Sequence, residues 1–333
     1  MPTIIPMLSL TPSKACMYTS YIDFTKSKPT ERPQSNKHDG FISVSGANRL
    51  RLAVDWLCFL AKDKQGFNPK NKQKFNFKVA FITLTLPSVQ IHSDEEIKEK
   101  CLSNFLQWLR DAHKVEHYVW RAEKQSNGNI HFHIVVNAFI PHKSIRLIWN
   151  KQIDKLGYVK KYTEKMKSIY DNSEQIGRSL SGAKQNIFFD RLRKAKKDNF
   201  CNPNSTDIHS LYNVRNIGAY ISKYISKTIQ QPQQDSSEAV KEAYAKQKVS
   251  GRIWFISEKL SKFKKVTMPI CSRVSRELEK MIKTFSDRYK EFDYVAILRA
   301  SFLDFANLDC FEILENIRNY LFKNSIKLEV IEV

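Results

Sequence analysis

Acidic residues are scarce in this sequence: 34 Asp and Glu stand against 55 Lys and Arg, leaving a formal charge of +21. A chain so short of negative charge attracts polyanions, which places nucleic acid ahead of an acidic membrane surface as its partner. Long apolar runs are missing as well. No stretch approaches the ~20 residues needed to cross a bilayer, and the opening Met1-Pro2-Thr3-Ile4-Ile5-Pro6 lacks the basic segment of a secretion signal. A cytoplasmic location with no membrane partner is the expectation. Cysteine is sparse and scattered: positions 16, 58, 101, 201, 271 and 310 contain no Cys-x-x-Cys pair, so reduced, mostly buried thiols are expected rather than a zinc knuckle. No Gly-x-x-x-x-Gly-Lys-Ser/Thr occurs, so a fused ATP-driven helicase is not expected.

What is present begins with an arm. Residues 1–45 are rich in Pro, Ser and Lys, show no sustained period, and read as irregular with short strands near Cys16–Phe24. From Asn48 to Lys62, Leu50, Leu52, Ala53, Trp56, Leu57 and Leu60 recur at helical spacing, whereas Asp63–Lys78 reads as a Lys/Asn/Gln-rich linker or loop. Val79–Leu86, closed by Pro87, predicts a central strand with Thr83 and Thr85 on one face, where small hydroxyls allow a phosphate backbone to approach. Ser93-Asp94-Glu95-Glu96 is a capping box opening a helix to about His113. A helix over His142–Leu156, a basic stretch over 158–200 with a helix around Phe188–Lys197, a strand over Thr206–Tyr212 and a last core strand near Gly251–Ser257 complete the central region.

The chemistry centres on Ile130-His131-Phe132-His133-Ile134-Val135-Val136. Strand alternation puts His131 and His133 on one face, about 7 Å apart, half of a metal site. The other half depends on the turn. A three-residue loop over Ser126-Asn127-Gly128, with Gly128 left-handed, sets Glu123 opposite His131 on the same face. A two-residue Asn-Gly turn instead sets Lys124 there and turns Glu123 away. By itself His-x-His is a weak motif, equally at home on the polar face of any half-exposed strand.

A second candidate element is the helix expected over Val214–Ile229, capped by Asn213. Ile217, Ile221, Ile225 and Ile229 form one apolar stripe, and Tyr220 and Tyr224 stand together beside it with Lys223 and Lys227 flanking them. Two phenols four residues apart also occur as plain extensions of a buried stripe.

In this order and spacing the three elements resemble the motifs of the HUH endonucleases: Ile82-Thr83-Leu84-Thr85-Leu86-Pro87, then Glu123 with His131-Phe132-His133, then Tyr220-x-x-Lys223-Tyr224-x-x-Lys227. More closely, the chain resembles the paired-tyrosine rolling-circle replication initiators of microvirus-type single-stranded DNA phages. The resemblance implies an α+β fold, a mainly antiparallel sheet of about five strands flanked by helices, with the metal strand central and the tyrosine helix adjacent. It covers roughly residues 46–260, implying an endonuclease domain there; outside it the sequence itself reads as a small helix-rich C-terminal region, 261–333, with helices over Ser272–Arg288 and Cys310–Phe322 and a short strand over Lys327–Val333. The resemblance further implies Mg²⁺ or Mn²⁺ held by Glu123, His131 and His133, and Tyr220 and Tyr224 as nucleophiles supported by Lys223 and Lys227. Thr83, Thr85 and Arg121 would meet DNA. The implied partners are a single-stranded DNA origin, a host helicase and a host polymerase, in the bacterial cytoplasm if the chain is phage-encoded. A two-tyrosine transposase or plasmid initiator would use the same residues, and a non-catalytic single-strand binding protein would share the charge and the 12% aromatic content.

Overall fold

The computed structural model describes residues 3–22, 40–68, 72–211 and 237–326. Tyr220, Lys223, Tyr224 and Lys227 lie outside the described residues, as do the helix expected over 214–229 and the strand expected over 327–333. The fold is mixed α+β, with two antiparallel five-stranded sheets and helices packed on them.

The strands in chain order are β1 (Thr3–Thr11), β2 (Lys14–Ile22), β3 (Lys64–Asn68), β4 (Gln73–Phe77), β5 (Val79–Leu84), β6 (Tyr118–Lys124), β7 (Ile130–Val136), β8 (Thr206–Leu211), β9 (Trp254–Ile256), β10 (Val266–Pro269), β11 (Tyr289–Phe292) and β12 (Val295–Leu298). The sheet that carries the histidines has the order β8-β5-β7-β6-β9, so β7 is central, as expected. Its sequence says why: Phe132, Ile134, Val135 and Val136 are fully buried, and an apolar, β-branched run of this kind needs a neighbour on both edges and cover on both faces.

One face of this sheet rests on two helices, α2 (94–113) and α3 (His142–Asp154). Ser93 caps α2 by accepting from the Glu96 amide at 3.1 Å, and a π-helical turn, Lys98–Leu102, interrupts it before the regular segment Ser103–His113. Phe132 meets Trp149 edge-on at 6.0 Å, and Trp149 meets Phe105 in the same way at 5.9 Å. All three rings are fully buried; removing each from water contributes roughly 2–3 kcal/mol. The opposite face carries the histidines. It is partly covered by α1 (Val44–Leu60), whose Gly46 lies so close to the Trp254 indole that an added Cβ would sit 3.1 Å from Nε1.

Three segments differ from the sequence reading. Residues 3–22, expected as an irregular arm with short strands only near Cys16–Phe24, form a full hairpin whose second strand covers most of that stretch and whose strands pair with β10 and β12 in the sheet β10-β1-β2-β12-β11. The C-terminal region therefore carries strands as well as the helices Ser272–Thr284 and Phe311–Lys323. Asp63–Lys78, expected as a loop, holds the two-stranded ribbon β3–β4. Third, the basic stretch over 158–200 is more helical than expected, with Tyr158–Tyr170 and Ser173–Ser179 preceding Gly182–Lys197.

Candidate metal centre on the central strand

The hairpin joining β6 to β7 decides the site. The Gln125 amide donates to the Asn129 carbonyl at 2.9 Å, the Gly128 amide donates to the Gln125 carbonyl at 2.9 Å, and Gly128 takes φ +81. This is the three-residue loop, and it pairs Glu123 with His131 and Arg121 with His133. Asparagine side chains hold the turn in place. Asn127 accepts from the Asn129 amide at 3.0 Å, and Asn129 accepts from the Gln90 amide and donates to the Ser88 carbonyl, both at 2.8 Å. Gln90 in turn accepts from the Ile130 amide at 2.6 Å. Beyond the turn, Lys124 donates to Asp94 at 2.6 Å, and Asp94 accepts from the Ser250 amide at 3.1 Å. The base of the Glu123–His131 pair is thereby fixed to the start of α2 and to the segment leading into β9.

The donor atoms of Glu123, His131 and His133 all lie within 4.8 Å of one another, close enough to share one cation. His133 Nε2 is 2.9 Å from Glu123 Oε1, and its Nδ1 is 3.3 Å from the Thr83 hydroxyl. Since a carboxylate only accepts, Nε2 carries the proton in this arrangement and Nδ1 accepts from Thr83. A hydroxyl can also accept, so Thr83 supports the other tautomer equally well, the one that frees Nε2 for a cation. Phe81 stacks on the His133 ring at 5.1 Å and fixes its plane. His131 packs edge-on to His133 at 4.4 Å between ring centres, and its Nδ1 is buried with no hydrogen-bond partner. A buried nitrogen left without a partner costs stability, and a metal ion satisfies it.

The electrostatics fit a cation. Burial, with a smaller contribution from neighbouring His133, pushes the His131 pKa down to about 4, so the imidazole is neutral and its lone pair free at pH 7. Burial works to raise the Glu123 pKa, but the hydrogen bond and charge of His133, with Arg121 and His131, outweigh it and the net shift is downward. Arg121 is 4% exposed, with its guanidinium 3.8 Å from Glu123 Oε2. One consequence is measurable without metal. With chelator present, the unfolded chain takes up a proton on His131 near pH 6.5, whereas the folded chain does so only near pH 4. Stability is therefore lost as pH falls through that window, by at most about 3 kcal/mol from this group. Urea melts at pH 7 and pH 4.5 should show the loss, and His131→Asn should reduce it.

The expected site residues divide into two groups. Glu123, His131, His133, Thr83 and Arg121 are brought together on one face. Thr85 lies just beyond β5, its amide and hydroxyl both donating to the Ser205 carbonyl at 2.8 and 3.1 Å, so it carries the β5–β8 pairing one residue further. Asp207 and Trp254 escaped the sequence reading. Cross-strand pairing places Asp207 opposite Thr83 and Trp254 opposite Arg121, making one row: Asp207, Thr83, His133, Arg121, Trp254. Alternation within Thr206–Leu211 holds that information, but only once the strand order is known.

Fold and site together define a class: an antiparallel sheet whose central strand carries a His-x-His pair completed by a cross-strand glutamate. Residues 79–229, somewhat under half of the chain, match the family described as replication-associated protein ORF2/G2P. That stretch contains the whole metal cluster and is consistent with a replication initiator. Neither the curated proteins nor the solved structures give a match. Among the described residues, no helix is long and apolar enough to cross a membrane.

Proposed function

We propose that this protein is a replication initiator that cuts single-stranded origin DNA by metal-dependent tyrosine transesterification and rejoins the ends in rolling-circle replication. The observation that carries the reading is the Glu123–His131–His133 cluster on the central strand, inside the region that matches replication-associated proteins. Two imidazoles and one carboxylate favour Mn²⁺ intrinsically, while abundance in the cell favours Mg²⁺. Bound there, such an ion would polarise a phosphodiester and offset the charge that develops on it.

The chain's own residues take the remaining roles. A phenol with a pKa of ~10 is a poor nucleophile at pH 7, so Tyr220 and Tyr224 need cations nearby. Lys223 and Lys227, three residues after each tyrosine, supply them. One phenolate oxygen bonds to phosphorus as the 3′-oxygen leaves, giving a 5′-phosphotyrosine and a free 3′-OH for a polymerase; the phenolic proton passes to solvent and the leaving 3′-oxygen takes one up from it. The second tyrosine cuts the regenerated origin, and the released 3′-OH attacks the first phosphotyrosine, restoring a phosphodiester and the free phenol. Bond energy is conserved throughout, so no nucleotide is hydrolysed, which suits a chain without a Walker motif. Unwinding and synthesis then fall to a host helicase and polymerase in the cytoplasm. Thr83 and Arg121 hold His133 and Glu123 in place, and Thr83 and Thr85 line the face that the DNA backbone would approach.

The test uses a labelled single-stranded DNA carrying the candidate origin, incubated with purified protein in Mn²⁺ or in EDTA. Cleavage in Mn²⁺ alone supports the reading. Binding without cleavage under any divalent metal would overturn it in favour of a non-catalytic single-strand binding protein.

A further inference from the structure

The ribbon β3–β4 belongs to neither five-stranded sheet. Its two faces are chemically opposite. On one, Gly66 pairs with Phe75, whose ring fills the space a Cβ would need: an added Cβ would lie 2.4 Å from the ring. Phe75 and Phe77 pack with Phe139 at 5.7 and 5.2 Å, and Phe77 is 1% exposed. The Lys64 ammonium donates to the Asn137 carbonyl, and Lys78 pairs with Asp63 at 3.5 Å. The ribbon is therefore anchored along that side.

Alternation sends Gln65, Phe67, Lys74 and Asn76 to the other face, where Gln65 stands directly across from Asn76 and Phe67 from Lys74. All four are exposed, Phe67 at 56%, and Lys72 precedes them. Gln65, Lys74 and Asn76 make no side-chain hydrogen bond or ion pair with the rest of the described chain. Between 62 and 78 the only acid is Asp63, and it is engaged with Lys78.

We propose that this face of β3–β4 is a recognition surface for double-stranded DNA, laid into the major groove. The groove, about 12 Å wide, admits a two-stranded ribbon. Gln and Asn pair with adenine edges, Lys with guanine or a phosphate, and an aromatic ring with a thymine methyl. The surface thus reads duplex beside the origin, while the metal face works on the exposed strand. The proposal rests on the initiator reading only in taking DNA as the partner.

The experiment measures binding of the full chain, in EDTA, to a fluorescent ~20-base-pair origin-flanking duplex and to a single-stranded oligonucleotide carrying the nick site. It compares wild type with Gln65→Ala/Phe67→Ala/Lys74→Ala/Asn76→Ala, and with Phe67→Ala and Lys74→Ala alone in case the fourfold variant melts early. The fourfold variant should bind duplex on the order of tenfold or more weakly, with single-strand binding and nicking within about twofold of wild type. Lys74→Ala should lower the slope of log affinity against log salt by about 0.9 on duplex. Unchanged duplex affinity would overturn the proposal. Equal weakening on duplex and single strand would overturn it too, assigning the ribbon to the single strand. A selective duplex loss in a protein that never nicks would keep the ribbon assignment and remove the initiator reading instead.

Discussion

His131→Ala is expected to reduce metal-dependent nicking by on the order of a thousandfold and to leave single-stranded DNA binding nearly intact. One of three ligands is lost, and with it the fixed position of the ion. The charge stabilisation a bound cation gives a phosphoryl transition state is worth several kcal/mol, and each ~1.4 kcal/mol is a factor of ten in rate. Removing the unpartnered Nδ1 relieves a cost that offsets part of the ring packing lost against His133, so the variant's fold is checked by its urea melt in chelator. Thr83→Val supplies the graded control. Its hydroxyl touches His133 Nδ1 at 3.3 Å but does not belong to the cluster, so its loss should weaken metal affinity about 10–100-fold, and high Mn²⁺ should restore activity. Nicking measured against Mn²⁺ concentration separates the two. A His131→Ala protein with wild-type activity would place the metal site elsewhere.

Tyr220→Phe combined with Tyr224→Phe carries the other large effect: covalent capture of DNA should vanish, below about one part in ten thousand of wild type, with DNA affinity unchanged. Only two hydroxyls are removed, and without a nucleophile no phosphotyrosine forms however well the phosphate is polarised. Each single variant should still nick once, provided the remaining phenol reaches the same phosphate, but should fail to close circles, since closure needs the second cut. Quantifying adducts on denaturing gels and circular products on the same substrate tests both halves. Retained nicking in the double variant would remove the tyrosines from the mechanism.

The legible parts of this protein were those specified within a few residues of themselves. Ser126-Asn127-Gly128 narrowed the register to two turns, one setting Glu123 and the other Lys124 opposite His131, and the structure takes the three-residue loop with Gly128 left-handed. The cap at Ser93 was legible locally, whereas the central position of β7 was expected only from the resemblance to the HUH endonucleases. The sheet joining residues 3–22 to β10 and β12 was not, since those partners lie hundreds of residues away and nothing in Lys14–Ile22 names them. The ribbon β3–β4 was hidden by composition: only Phe75 and Phe77 mark its packed face, and the Lys, Asn and Gln of its open face read as a loop. Arg121, read from sequence as a DNA contact, is buried beside Glu123, a placement that depends on which strand lies next to which. Asp207 and Trp254 joined the site's row for that reason too.

The central claim is that a tyrosine of this chain becomes covalently joined to DNA in a reaction that needs Glu123, His131 and His133. The most direct measurement incubates the protein with labelled single-stranded origin DNA and Mn²⁺, isolates the protein–DNA adduct on a denaturing gel, and locates the modified residue by mass spectrometry. The account predicts an adduct that disappears in EDTA and maps to Tyr220 or Tyr224. An adduct on any other residue, or tight binding with no adduct on a broad pool of sequences, would contradict it.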